Sequence, residues 1–226
     1  MKISLSLLPT PDSLLPIFKL AWDYAASHPD KLGEAVWQHL LLVVVPLTIG
    51  LGLGLPLGLL SSRSRTASTV LINGFNGLRV IPSLAILFVA IPVFGLTFTS
   101  AAIALTLLVI PPILISTDVA FRRIEPAIRE AAKGMGMAPR QVLQQVEIPL
   151  ALPVIIAGIK TALVEVIASA TLAAFIGAGG LGSFIVLGFA LYDNAILLVG
   201  AIPVAVFALV AEVSLSVLQR SLQPPQ

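Results

Sequence analysis

Residues 130–153 read EAAKGMGMAPRQVLQQVEIPLALP. Polar and charged side chains collect here, punctuated by Gly134, Gly136, Pro139, Pro149 and Pro153. On both sides the chain is a succession of apolar runs. A water-loving segment between such runs is held out into solvent by them, so the reading of this stretch decides how the rest is arranged.

The apolar runs dominate the chain. Of 226 residues, 58% are hydrophobic and 11% charged, whereas an average soluble domain is about a quarter charged. Mean hydropathy is +1.04. So little polar surface cannot cover a soluble globule, and the chain reads as an all-α integral membrane protein. The absence of cysteine excludes disulfides, thiolate chemistry and cysteine metal sites. His28 and His39 have no ligand-like neighbours in sequence and read as interfacial residues. A net charge of +2 offers no nucleic-acid-binding patch.

A helix rises about 1.5 Å per residue, so about 20 apolar residues span the roughly 30 Å hydrocarbon layer. Residues 40–60, 80–98, 100–117, 150–176 and 195–218 qualify as crossings. The first carries GLGLGLPLG, whose small residues let neighbouring helices approach closely. Residues 66–78 are too short to cross alone. They read as the first part of the second helix, joined through a break at 79–82, where Pro82 removes a backbone donor. Pro9, Pro11, Asp12, Pro16 and Lys19 interrupt the N-terminal stretch, which lacks the long apolar core of a signal peptide. Residues 1–38 read as an extracytoplasmic or interfacial segment with a helix over 13–26, residues 39–220 as one transmembrane domain, and 221–226 as a tail.

Five crossings place the termini on opposite sides. Arg63, Arg65, Arg122, Arg123, Arg129, Lys133, Arg140 and Arg220 then share one side, and Lys2, Lys19 and Lys31 the other. An excess of basic residues marks the cytoplasmic face. The N-terminus is therefore expected outside, with the 121–149 loop and the C-terminus inside.

Within that loop, Pro126 suits the first turn of a helix, where its missing N–H goes unneeded. PAIREAAK is rich in helix formers, and Gly134 stands where a glycine closes a helix in the left-handed conformation. Pro139 then restarts a second short helix, RQVLQQVE. Val142, Leu143 and Val146 share one face of it, while Arg140, Gln144, Gln145 and Glu147 lie elsewhere. Helices this short are unstable alone in water. Their apolar faces must be covered, either by the chain's own crossings or by a partner's groove.

Glu130-Ala131-Ala132 followed by Gly134, Gly136 and Pro149 resembles the EAA loop of binding-protein-dependent ABC importer permeases. The runs ALPVIIAGIKTA, ATLAAFIGAGGLG (170–182) and LRVIPSLAIL (78–87) resemble the osmoprotectant branch of that family, which imports glycine betaine, carnitine, choline or proline betaine. The likeness covers residues 40–218. It implies a type I ABC importer permease-like bundle of about five transmembrane helices with a cytoplasmic coupling helix, in a bacterial inner membrane. It also implies partners: cytosolic ABC ATPase subunits, a second permease copy or a related permease, and an extracytoplasmic solute-binding protein. On this resemblance Glu130, Ala131, Ala132, Gly134, Gly136, Val142, Leu143 and Pro149 couple the chain to the ATPase. Ala131 and Ala132 would keep the coupling helix slim, and Gly134 would set the angle between its arms.

Gly177-Ala178-Gly179-Gly180-Leu181-Gly182 matches G-x-G-x-x-G. A dinucleotide site, however, needs a preceding strand and an acidic residue about 20 positions on. The preceding run is a crossing, Asp193 is too near, and the stretch reads as an extracytoplasmic turn where the chain re-enters helix. No G-x-x-x-x-G-K-[ST] motif occurs. The chain is therefore not expected to be an enzyme by itself. No catalytic or metal-binding residue is assigned, and no cofactor is expected in it; ATP and Mg2+ belong to the partner ATPase.

Ionisable residues inside apolar runs are functional candidates. They are Arg79, Lys160, Glu165 and Glu212, with Asp118 near a helix end. Lys160 and Glu212 lie close enough to span ends to reach water; Glu165 has less access. Arg79, Pro82, Ser83, Glu165, Ser169 and Thr171 form the candidate solute pathway. Two other readings stand beside this one. The same mechanism could carry methionine or another amino acid. An ion-coupled secondary transporter would instead favour internal repeats, and none is evident.

Overall fold

The structure, a computed structural model, describes residues 11–222; residues 1–10, with Lys2, and 223–226 lie outside the described residues. Among the described residues nine α-helices follow one another, with a short 3-10 turn at Leu172–Ile176 after the seventh: α1 Pro11–Ser27, α2 Pro29–Arg63, α3 Arg65–Val80, α4 Ser83–Phe94, α5 Phe98–Arg122, α6 Pro126–Gly134, α7 Pro139–Ala170, α8 Gly182–Leu191 and α9 Asn194–Ser221. There is no strand among the described residues.

The central element is α5. Thr97 caps its start, the Oγ1 accepting the Ser100 N–H at 3.3 Å. Pro111 and Pro112 lie inside it without ending it. Helix α2 lies against α5 along a line of small residues. A Cβ placed on Gly50 would sit 2.5 Å from Val109 Cγ1, on Gly54 2.9 Å from Ile113 Cγ2, and on Gly58 2.5 Å from Thr117 Cβ. Four-residue spacing puts all three glycines on one face, and their missing side chains let the two backbones close up. On the other flank, Gly158 of α7 leaves room for Ser116 of α5. Leu42, Leu87, Leu105, Val109, Ile113, Val166 and Ile176 fill the space between these elements. A second cluster, with Ala21, Leu181, Phe184, Ile196 and Val199, fastens α1 onto α8 and α9.

Helices α2, α5, α7 and α9 are each long and apolar enough to cross a membrane. Exposed apolar side chains such as Val44, Val89, Leu209, Val213 and Val217 lie on the outside, as lipid solvation demands. The break expected at 79–82 is present, but it is sharp: α3 and α4 meet at 95°. With 12 residues, α4 rises only about 18 Å, short of the roughly 30 Å core. A crossing here needs both arms of the elbow. The helix expected over 13–26 is α1, and the chain re-enters helix after the glycine-rich turn as α8.

Two expectations are corrected. The second short helix of the polar segment is not separate: α7 runs from Pro139 straight into the span, through a π-helical turn at Val142–Glu147. His39 is no interfacial residue; it is fully buried in α2, 6.3 Å from the Phe207 ring.

The glycine line yields a comparison. Gly54→Leu should force α2 from α5 and destabilise the detergent-solubilised chain by about 1–3 kcal/mol. Gly52→Leu, with nothing within 4 Å of its added Cβ, should leave the thermal midpoint unchanged. Equal melting of the two variants would refute the contact's importance.

Candidate functional site

The polar segment is built on α6 and the first turns of α7. Pro126 occupies the first turn of α6, as expected. At the other end the left-handed residue is not Gly134 but Gly136, with φ +83°. Gly136 N–H donates to the Lys133 carbonyl at 2.9 Å and Met137 N–H to the Ala132 carbonyl at 3.2 Å. This pair of bonds is the Schellman closure, which needs a left-handed residue just past the cap. The helix therefore runs through Gly134, Met135 is its cap, and Gly136 makes the turn toward Pro139. Around Gly134 there is open space, so it does not set the angle between the arms.

The coupling candidates divide by exposure. Glu130, Ala131, Gly134, Gly136 and Pro149 face outward, whereas Ala132 and Val142 are buried and Leu143 is half-buried. Leu143 packs with Phe121, Ile124, Ala151 and Ile155. Ala132, Val142 and Leu143 thus pack the segment against its own chain. The outward face of α6 carries Ile128 and Met135, the latter 75% exposed.

Beneath α6 lies an ion cluster that sequence reasoning missed. Glu147, read as lying off the apolar face of the short helix, is buried instead. The π turn widens the helix, its capping bond running from Ile148 N–H to the Leu143 carbonyl. That extra residue rotates Glu147 inward. Its carboxylate accepts from Arg63 Nη1 at 3.1 Å and from Arg63 Nη2, and from Arg129 Nε at 2.6 Å. Arg129 Nη2 also donates to the Phe121 carbonyl at 2.6 Å. The Arg63 hydrogen bond, with Arg129 assisting, holds the Glu147 carboxyl below its usual range. Next to it, Ser61 Oγ donates to Asp118 at 2.6 Å, and Arg122 pairs with Asp118 at 3.0 Å.

The pathway candidates lie elsewhere. Arg79 is exposed in the last turn of α3, Pro82 caps α4 and Ser83 opens it. Glu165 is half-buried on α7, Ser169 is buried one turn on, and Thr171 ends the helix, its Oγ1 donating to the Ala168 carbonyl. Among the described residues neither Arg79 nor Glu165 enters an ion pair. Lys160 pairs with Glu212 of α9 at 2.9 Å and donates to Ser216 at 3.3 Å. At the end of the bundle away from α6, Gln38 Oε1 accepts the Gly180 N–H at 2.9 Å, tying α2 to the glycine-rich turn.

A multi-pass helical bundle with a broken span and a clamped polar segment defines a membrane transport subunit of the type I ABC importer permease fold. Residues 50–224 match the family described as "binding-protein-dependent transport system inner membrane component", and the chain belongs to it. It is 42% identical to the carnitine transport permease protein OpuCB of Listeria monocytogenes, over 83% of this chain and 86% of that one. It is 37% identical to the choline transport system permease protein OpuBB of Bacillus subtilis, over 89% and 93%. The osmoprotectant import permease protein OsmW of Salmonella typhimurium is 36% identical over 89% and 96%. In fold, the chain superposes on an inward-facing structure of the MetNI methionine ABC transporter with a TM-score of 0.74, at 23% identity over 86% of this chain and 97% of that one.

The Glu147 cluster carries a pH signature. A carboxyl held low in the fold contributes stability that is fully present above its ordinary value of 4.5 and is lost as pH falls through the lower folded value. Melting temperature should therefore drop on acidification below about pH 4.5. Glu147→Gln should remove that component, seen as a flatter profile in thermal melts across pH; an unchanged profile would argue against the cluster.

Proposed function

We propose that this chain is the permease subunit of an ATP-driven importer for an osmoprotectant such as glycine betaine, carnitine or choline. The single observation that carries the reading is sequence identity near 40% with carnitine and choline permeases along nearly their whole length. The methionine transporter supports the fold alone, so an amino-acid cargo is the weaker choice.

The chain itself holds no nucleotide-binding motif. ATP and Mg2+ then belong to separate cytosolic ATPase subunits, and a solute-binding protein delivers cargo from outside. A second permease copy, or a related one, completes the pathway. On this reading α6 faces the cytoplasm with the C-terminus, and the N-terminus lies outside. The basic residues Arg63, Arg65, Arg122, Arg123, Arg129, Lys133 and Arg140 cluster around α6, which favours that orientation.

The outward face of α6, with Ile128, Ala131 and Met135, fits a groove on the ATPase. Glu130 and Gly134 flank that face. Arg79, Pro82, Ser83, Glu165, Ser169 and Thr171 remain the proposed solute route. A quaternary ammonium ion passing Glu165 would meet a carboxylate free of ion pairs among the described residues.

Uptake by liposomes containing the chain, its ATPase and its binding protein tests the reading. Labelled glycine betaine, carnitine or choline should accumulate only with ATP inside, and methionine should not. Methionine uptake without quaternary ammonium uptake would overturn the cargo assignment. Gly136→Val places a branched side chain at φ +83°, a strain of about 1–2 kcal/mol. It should misalign α6 and lower solute-stimulated ATP hydrolysis, whereas Gly134→Ala, in open helical geometry, should not. Normal stimulated turnover in Gly136→Val would count against α6 as the coupling helix.

A further inference from the structure

Glu147 has a side-chain exposure of 3%. A carboxylate so buried persists only with partners. Those partners come from two separate elements: Arg63 ends α2, and Arg129 stands on α6. Through Arg129 the cluster also reaches the Phe121 carbonyl in the last turn of α5. One carboxylate thus ties α6 to the ends of α2, α5 and α7.

Packing does not do this alone. Beside the carboxylate is a cavity of about 210 Å³, lined by Arg63, Arg129, Lys133, Pro139, Val142 and Glu147. Across that gap ionic hydrogen bonds join α6 to Glu147 and Glu147 to Arg63. Arg63 engages both carboxylate oxygens, a two-point bond that resists rotation as a single contact does not. The Phe121 ring, 5.8 Å from the guanidinium carbon, seats Arg63 from the other side. The carboxylate itself sits in the π turn, and π turns inside α-helices are frequent at functional sites.

We propose that Glu147 is the positioning residue of coupling. It holds α6 at a fixed angle to the ends of α2 and α7, so that displacement of α6 moves the spans instead of flexing the loop. This rests on the ATP-driven reading above. Glu147 need not touch ATP, the ATPase or the solute; it acts through Arg129 and Arg63.

The test uses the whole complex in liposomes. Because the chain has no cysteine, spin labels at Ala127→Cys on α6 and at Thr66→Cys, three residues past the end of α2, report how firmly α6 is held relative to that end. Wild type should give a narrow distance distribution. Glu147→Gln should broaden it and lower solute taken up per ATP hydrolysed by about tenfold, equivalent to about 1.4 kcal/mol. Arg63→Lys keeps the charge but cannot make the two-point bond. It should insert and assemble at wild-type yield yet also broaden the distribution and lower the uptake ratio. A purely structural charge would tolerate that change. Wild-type width and uptake ratio in both variants would overturn the proposal. Should Glu147→Gln fail to insert, Arg63→Lys decides. If wild type itself shows no solute-dependent ATP hydrolysis, the ATP-driven reading fails. The label widths then still decide whether Glu147 fixes α6.

Discussion

The close approach of α2 and α5 governs the structure. In lipid no hydrophobic force drives helices together, so their association rests on van der Waals contact and polar latches. Gly50, Gly54 and Gly58 supply the contact by leaving no Cβ between the backbones. A smooth glycine track is free to slide along its axis, however. The latch lies one turn beyond Gly58, where Ser61 meets Asp118, and Arg122 reaches back to the Ser61 carbonyl at 2.6 Å. Register along the pair is thereby set at one end, and with it the position of Arg63 over Phe121.

The polar segment depends on that register. Arg63 can hold Glu147 only where α2 ends beside the last turn of α5, and Arg129 can reach both Glu147 and the Phe121 carbonyl only there. The buried charges Asp118 and Glu147 each have a guanidinium partner at this end of the bundle. At the far end the tie between Gln38 and Gly180 is neutral. His39 breaks the pattern, since neither of its buried ring nitrogens has a well-formed hydrogen bond among the described residues.

Much of the fold was legible from sequence, and the reasons differ by element. Apolar length marked the spans, because membrane thickness imposes it. The small-residue track of α2 and the break before Pro82 were visible because glycine and proline act through backbone geometry alone. Gly136 was missed in favour of Gly134, since either glycine could end the helix and only the cap bonds distinguish them. Glu147 was placed on the wrong face because a π turn shifts helical phase without altering composition. The pairing of Lys160 with Glu212 joins helices far apart in sequence, and no local spacing encodes it. Family resemblance assigns Ala132 and Val142 to coupling but carries no information on burial; both pack inside the chain.

Helix α7 connects the two candidate regions. It runs unbroken from Pro139 to Ala170, about 48 Å at helical rise, with Glu147 near its base and Glu165 and Ser169 toward its top. A continuous helix transmits displacement along its axis unless its backbone bonds are interrupted. Gly158 against Ser116 fixes its middle to α5, so the upper part moves with the α2–α5 pair. The regular ladder is weakest in the lower turns, where Pro149 and Pro153 lack N–H donors and a π turn spans Val142–Glu147. An unrestrained base would absorb any movement of α6 by flexing there. The carboxylate of Glu147, held from two sides inside that same turn, stiffens the one place where the rod would otherwise give.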